Sequence, residues 1–288
     1  MSGQQAGSGT TARRMVLGSR LRRLREASGV TREQAGYSIR ASESKISRME
    51  LGRVGFKTRD VADLLTLYGV HEDDHRAAVL DLLQEANAPA WWQAYTDVVP
   101  GWFQAYLGLE EAAASISSYE LQFVPGLLQT EEYARAVVRL GNAAATDAEI
   151  DRRVGVRLRR QRLLRARPAP DLLVIVDEAA LRRPCGGPEV MRRQLHRLVE
   201  LAALPQLTLQ VMPLGSGGLA AESGSFTLLS FPEQDLPDLV YLEQFTGALY
   251  LDKPAEVGEY VAAMQRLRAD GLSPERTLAL LHSILQED

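Results

Sequence analysis

Cysteine is almost missing from this chain of 288 residues: Cys185 stands alone, which excludes an internal disulfide and a cysteine-based metal site. Set between Pro184 and Gly186 with no activating base beside it, we read this thiol as structurally incidental. No stretch of about 18 apolar residues exists to span a membrane. Residues 1–11 are rich in Gly, Ser and Gln and lack the apolar core of a secretory signal. The expected setting is therefore the cytoplasm, in association with the nucleoid. Neither a nucleophile-elbow motif nor a phosphate-binding Walker A loop appears, so catalysis has no named residues; an enzyme is not expected, nor a cofactor. Aromatic residues make up only 6% of the chain.

Charge is present in both signs but unevenly placed. Residues 1–59 hold 13 Lys or Arg against 4 Glu, net +9, whereas the remaining 229 residues hold 20 against 33, net −13. The overall −4 conceals two electrostatically opposite parts, and only the first suits a polyphosphate.

The basic part has the pattern of a helix-turn-helix. Val16, Leu17, Leu21 and Leu24 recur at near-helical spacing and predict a first helix from Met15 to Ser28, stopped by Gly29. Thr31 offers a cap to a short helix over Arg32 to Tyr37; Ser38 to Ala41 form a turn, and Ser42 caps a helix running from Glu43 to Leu51 and ended by Gly52. A small residue at Gly36 and apolar ones at Ile39 and Ile46 fix the crossing of the two short helices, so that the second can enter a major groove. With Ile46 and Met49 turned inward, Ser42, Glu43, Ser44, Lys45, Ser47 and Arg48 are expected to be exposed and to meet base edges. Arg20, Arg32, Arg53 and Lys57, at helix ends or on the flanking loop, are the candidate phosphate contacts. Val61, Leu64, Leu65 and Tyr68 predict a fourth helix, and Ala77, Leu80, Leu82 and Leu83 a fifth, completing a small domain.

Trp91, Trp92, Tyr95, Trp102, Phe103 and Tyr106 then fall at helical-neighbour spacings, which favours core packing between two domains over a ligand cage. From Ala114 the pattern alternates. Strands are predicted at Ser115 to Glu120, Leu172 to Val176, Leu207 to Met212, Ser225 to Ser230, Leu239 to Glu243 and Leu249 to Leu251. Helices are predicted at Glu131 to Leu140, Asp147 to Arg165, Pro188 to Ala203, Pro254 to Ala269 and Pro274 to Gln286, with Asp252 and Ser273 placed to cap the last two. Short connections among the last four strands favour an antiparallel meander. The expected fold class is a five-helix helix-turn-helix domain followed by a mixed α/β domain with a mainly antiparallel sheet. The expected boundaries are a flexible tail at 1–14, a DNA-binding domain at 15–86, an aromatic-rich helical connector at 87–113 and an α/β domain at 114–288.

Three further patterns invite a chemical reading. His71-Glu72-Asp73-Asp74-His75 matches the H-E-x-x-H zinc pattern, but a helix ends at Gly69 and the next is capped at Asp73 or Asp74, so the histidines do not share an established helical face; no metal is expected. The glycine-rich run at 215–218 lies between strands and opens no helix, which favours a flexible connection over a phosphate cradle. The arginines between Arg152 and Arg167 are read first as a solvated helix face, with a partner-protein surface or an auxiliary DNA contact as alternatives. Leu127 and Leu128 lie after a Pro125-Gly126 turn and either pack in the core or, with Arg157 and Arg160, bind a partner.

Residues 15–70, centred on Ser42-Glu-Ser-Lys-Ile-Ser-Arg-Met-Glu-Leu-Gly-Arg53, resemble the XRE (Cro/C1-type) helix-turn-helix family. Phe123-Val-Pro-Gly-Leu-Leu-Gln-Thr-Glu-Glu-Tyr-Ala-Arg135, Asp177-Glu-Ala-Ala-Leu-Arg-Arg183 and Val240-Tyr-Leu-Glu243 are similar to an actinobacterial C-terminal domain, and the whole chain resembles the WhiJ-like regulators. The resemblance implies a homodimeric transcriptional regulator acting on a double-stranded DNA operator, with a small protein partner encoded nearby and in some cases an antitoxin-like role. Two positions depart from the family pattern: Arg32 stands where a glutamine is usual, and Arg40 stands where the turn often has glycine. The reading reached is a sequence-specific DNA-binding regulator whose C-terminal domain senses a small protein partner or ligand. The alternative is an antitoxin-like protein that sequesters its partner and autoregulates its operon.

Overall fold

A computed structural model describes residues 12–50, 52, 54–87, 90–216, 224–232 and 237–287. The chain divides into two compact units, one within Met1–Ala112 and one made of Ala113–Pro232 and Pro237–Asp288.

The first unit is helical: α1 (Ala12–Ala27), α2 (Arg32–Ser38), α3 (Glu43–Glu50), α4 (Thr58–Leu67), α5 (Asp73–Asn87), a 3-10 turn at Trp91–Tyr95 and α6 (Gly101–Ala112). The first helix begins at Ala12, earlier than apolar spacing indicated, so residues 12–14 belong to it and not to a tail. Leu17 and Leu21 of α1, Ile39, Ile46 and Met49 of the α2–α3 region, Val61, Leu64 and Leu65 of α4 and Leu83 of α5 form one buried cluster. Most of the apolar residues chosen by their spacing are thus removed from water, which supplies the main driving force for a bundle of such short helices; Ala77 is exposed, Leu24, Leu80 and Leu82 are half-buried, and Val79, not chosen, is buried. Within the aromatic segment, Trp91 meets Trp92 edge to face at 5.6 Å and Phe103 stacks on Tyr106 at 5.5 Å.

The second unit contains a six-stranded sheet in the order β3-β2-β1-β4-β5-β6. Its strands are β1 (Ser115–Glu120), β2 (Asp171–Asp177), β3 (Leu207–Met212), β4 (Phe226–Ser230), β5 (Leu239–Gln244) and β6 (Gly247–Leu251). Helices α7 (Glu131–Gly141) and α8 (Asp147–Arg160), with a 3-10 turn at Gln161–Arg165, carry the chain from β1 to β2; α9 (Glu178–Arg182) and α10 (Pro188–Leu201) carry it from β2 to β3. Helices α11 (Pro254–Asp270) and α12 (Pro274–Glu287) follow β6. Crossovers of that length return a strand in the same direction, so β1, β2 and β3 are parallel, with Ser118 opposite Val174 and Val174 opposite Leu209. On the other side of β1, strands β4, β5 and β6 form the antiparallel part.

The sheet is therefore mixed: three of its five strand pairings are antiparallel and two are parallel, so the expected mainly antiparallel sheet fits only roughly. The expected meander holds only for β4 to β6: β3 leaves it and pairs with β2, because the helices before it reach the far edge. Tyr119, Ile175, Phe226 and Val240 on one face pack against Val257, Met264 and Leu267 of α11. Ser273 caps α12, accepting from the Arg276 amide at 3.3 Å, whereas Lys253, not Asp252, holds the N-cap position of α11 and gives no side-chain cap. Among the described residues no helix is long and apolar enough to cross a membrane.

Candidate nucleic-acid interface

Local chemistry sets the crossing of α2 and α3. Thr31 and Gln34 form a reciprocal capping box at the start of α2, with Thr31 N donating to Gln34 Oε1 at 2.9 Å and Gln34 N donating to Thr31 Oγ1 at 3.2 Å. A Cβ placed on Gly36 would stand 2.7 Å from the carbonyl oxygen of Ala41, so the helix approaches the turn closer than any other residue permits. Arg40 occupies the left-handed region at φ 54°, the sole non-glycine residue to do so among those described. The turn thus keeps the shape a glycine would give it, at a cost of about 1 to 2 kcal/mol. Ser42 Oγ accepts from the Lys45 amide at 3.2 Å and starts α3; Gly52, at φ 64°, follows its last turn.

The inner face of α3 is fixed by Ile46, Met49 and Glu50, all buried. Glu50 is a buried anion held by two arginines: Arg25 of α1 donates to both of its oxygens and Arg32 of α2 donates from Nε at 3.0 Å. The hydrogen bond to Glu50 also holds the Arg25 guanidinium above its ordinary pKa, against the opposing effect of burial. Burial, with the negative charge of Glu50 second, raises the Tyr68 phenol. One carboxylate therefore ties α1, α2 and α3 together. Neither Arg25 nor Glu50 stood out in the sequence, where both lie among other charged residues; a three-dimensional arrangement alone makes them partners.

The outer face carries the candidate base contacts. Ser42, Glu43, Ser44 and Arg48 are exposed, as expected, but Lys45 and Ser47 are half-buried. Lys45 Nζ is bound to Asp60 of α4 at 2.7 Å, and Arg48 Nε donates to the Ser44 carbonyl at 3.3 Å. Of the candidate phosphate contacts, Lys57 is exposed just ahead of α4, and Arg32 is engaged by Glu50 yet stays half-exposed. Arg20 lines a cleft of about 740 Å³ with Arg23, Tyr68, His71 and His75, and no α3 residue contributes to that cleft. Arg53 and Leu51 lie outside the described residues. Two exposed side chains absent from the sequence-based set flank α3: Arg40 in the turn and Tyr37 at 87% exposure in α2.

Elsewhere, His71 precedes α5, which starts at Asp73, so the two histidines of the zinc-like pattern do not share a helix; among the described residues no group of three or more His, Cys, Asp or Glu could hold a metal. Leu127 and Leu128 are buried and cannot present a partner surface. Their segment is pinned from within: Gln194 Nε2 donates to the Leu128 carbonyl at 2.9 Å, and Gln161 Nε2 donates to the Gly126 carbonyl at 3.1 Å and to the Gln129 carbonyl at 2.7 Å. The arginine helix is likewise not a uniformly solvated face, for Arg153, Arg157, Arg159 and Arg160 are half-buried while Arg152 is exposed. Burial raises the Cys185 thiol pKa, which keeps it protonated and unreactive.

Residues 16–79 match the family described as Helix-turn-helix domain. Residues 103–283 match Domain of unknown function (DUF5753). Neither a curated protein nor a solved structure matches the chain. The second match spans more than half of the 288 residues, and the chain accordingly belongs to the DUF5753 family, carrying a helix-turn-helix domain ahead of the family's domain.

Proposed function

We propose that the protein is a sequence-specific DNA-binding transcriptional regulator whose second unit receives a signal from a small protein partner or a ligand. The observation that carries this reading is α3: its inner face is locked by Ile46, Met49 and Glu50 while Ser42, Glu43, Ser44 and Arg48 face outward. Such a helix enters the major groove with its first turns against base edges. Lys45 and Ser47 join those contacts once Lys45 leaves Asp60. Arg40 and Lys57 meet phosphate on either side, and Arg32 does so with the donors that Glu50 leaves unused.

One short helix covers too few base pairs for useful specificity, so the chain acts as a homodimer on two half-sites about 10 bp apart or a multiple of that. The setting is the cytoplasm. Duplexes selected from a random pool, measured with the full chain at several salt concentrations, test the reading. A common sequence with paired half-sites and a steep loss of affinity with salt is expected; indifference to both sequence and salt would refute it. Stoichiometric retention of a small protein by residues 113–288 would favour the antitoxin-like role over ligand sensing.

A further inference from the structure

Arg153, Arg157 and Arg160 follow one another at four and three residues along α8 and so share one helix face. All three are half-buried. Across from them, within electrostatic reach, lie Glu120 at the end of β1 and Glu243 in β5: Arg160 and Glu243 both act on Glu120, and Glu243 also acts on Arg157. Arg160 runs close to Gly126, its Nη1 lying 3.0 Å from where a Cβ on Gly126 would stand. Arg153 Nε is buried with no hydrogen-bond partner, and Arg157 has no hydrogen-bonded or ion-paired partner among the described residues.

A buried guanidinium nitrogen without a hydrogen-bond partner costs free energy, and neighbouring guanidinium groups on one helix face repel one another. Burial and Arg160 push Arg157 down to about 10, with Glu243 opposing and Arg153 adding to the repulsion. Glu120, on which Arg160 and Glu243 act, is the last residue of β1, with parallel β2 on one side of that strand and antiparallel β4 on the other.

We propose that Arg153 and Arg157 bind the oxyanion of a small ligand, a carboxylate or a phosphate group, at the carboxyl end of β1. The planar fork of a guanidinium matches either group with paired hydrogen bonds. Glu120 and Glu243 accept hydrogen-bond donors of the same molecule, Glu243 with the capacity left after Tyr241 Oη donates to it at 3.0 Å. Two carboxylates beside three half-buried arginines disfavour a nucleic-acid backbone at this place. The site gives the sensing role of the second unit a ligand class and rests on that role for its regulatory meaning.

Thermal melting of the full chain in phosphate, acetate and chloride at matched ionic strength tests it. Phosphate, acetate or both should raise the melting temperature saturably, by about 2 to 4 °C at roughly five times the dissociation constant. Chloride should not. Phosphate alone indicates a phosphorylated ligand and acetate alone a carboxylate. The rise should vanish in R157Q and R153Q and persist in part in R157K; R153Q covers the case in which R157Q does not fold, since Arg153 Nε has no bond to lose. A rise that survives in R153Q and in every other folded variant, or no rise with either anion, overturns the site. DNA affinity measured alongside separates the two readings: lost anion response with intact DNA binding rejects the site alone.

Discussion

Lys45 of α3 and Asp60 of α4 are joined by a 2.7 Å salt bridge. The lysine expected to read a base is thus spoken for in the free protein, and the aspartate is the more buried of the two. In the proposed complex, Lys45 would exchange this carboxylate for base acceptors. Lys45→Ala should lower the ratio of operator to random-DNA affinity by the loss of about 1 to 3 kcal/mol. Asp60→Asn should raise affinity, and do so less in the Lys45→Ala background. If Lys45→Ala leaves the ratio unchanged, Lys45 only braces α3 on α4.

Glu50 should be the most sensitive charge in the first unit. Replacing it by Gln leaves Arg25 buried without its buried counter-ion and with only the exposed Glu26 as partner, which should destabilise the unit by up to about 3 to 5 kcal/mol. Replacing Arg25 and Glu50 together by Met should recover most of that loss, because the desolvation cost disappears with the charges. Denaturant unfolding followed by circular dichroism measures both; a Glu50→Gln protein as stable as the original would show that the pair contributes nothing net.

Arg40→Gly should move stability and binding in opposite directions. Glycine relieves the left-handed backbone and should stabilise the unit by about 1 kcal/mol. It also removes an exposed cation, so the slope of log affinity against log salt should become shallower by about 0.9. An unchanged slope would mean that Arg40 makes no phosphate contact.

Glu120 should make the second unit pH-dependent. Burial first, then the charge of Glu243, raise its carboxyl from 4.5 to about 7, against the Ser225 hydrogen bond and Arg160. A carboxyl whose folded pKa lies above its unfolded one binds more protons in the native state. Its stabilising contribution is complete below about 4.5 and is lost as pH rises to about 7, by up to about 3 kcal/mol. Glu120→Gln should flatten that part of the stability–pH curve. A slope in this window that persists in the variant would assign it to another group.

Leu128→Ala should destabilise the second unit by about 2 to 5 kcal/mol, as removal of a fully buried side chain leaves a cavity. Leu127→Asp should unfold it. A Leu127→Asp protein with a normal melting curve would place that side chain outside the core and reopen the segment as a binding surface.

Local rules were enough to read much of this protein. Thr31, Ser42 and Gly52 mark helix ends through hydrogen bonds and dihedral angles that act over three or four residues, so the helix-turn-helix was legible before any coordinates. Apolar spacing chose Leu17, Leu21, Ile46 and Met49 correctly because a 3.6-residue period alone fixes which face a helix buries. Strand positions were legible from short β-prone apolar runs, most of which the sheet buries continuously.

Pairing was not legible. That β3 joins β2 instead of β4 depends on where helices α9 and α10 set the chain down, and nothing in the residues of β3 records it. The same holds for side chains whose partners are distant in sequence: Arg25 reaches Glu50, Lys45 reaches Asp60, and Gln194 reaches Leu128. Arg153 and Arg157 look like solvated arginines in a charged run, and only the fold makes them half-buried. The sequence by itself determined the helices, the strands and the basic first part, because those follow from local geometry and composition. The tertiary structure alone decided which charges lost their water and which partners compensate them, because burial depends on elements brought together from across the chain.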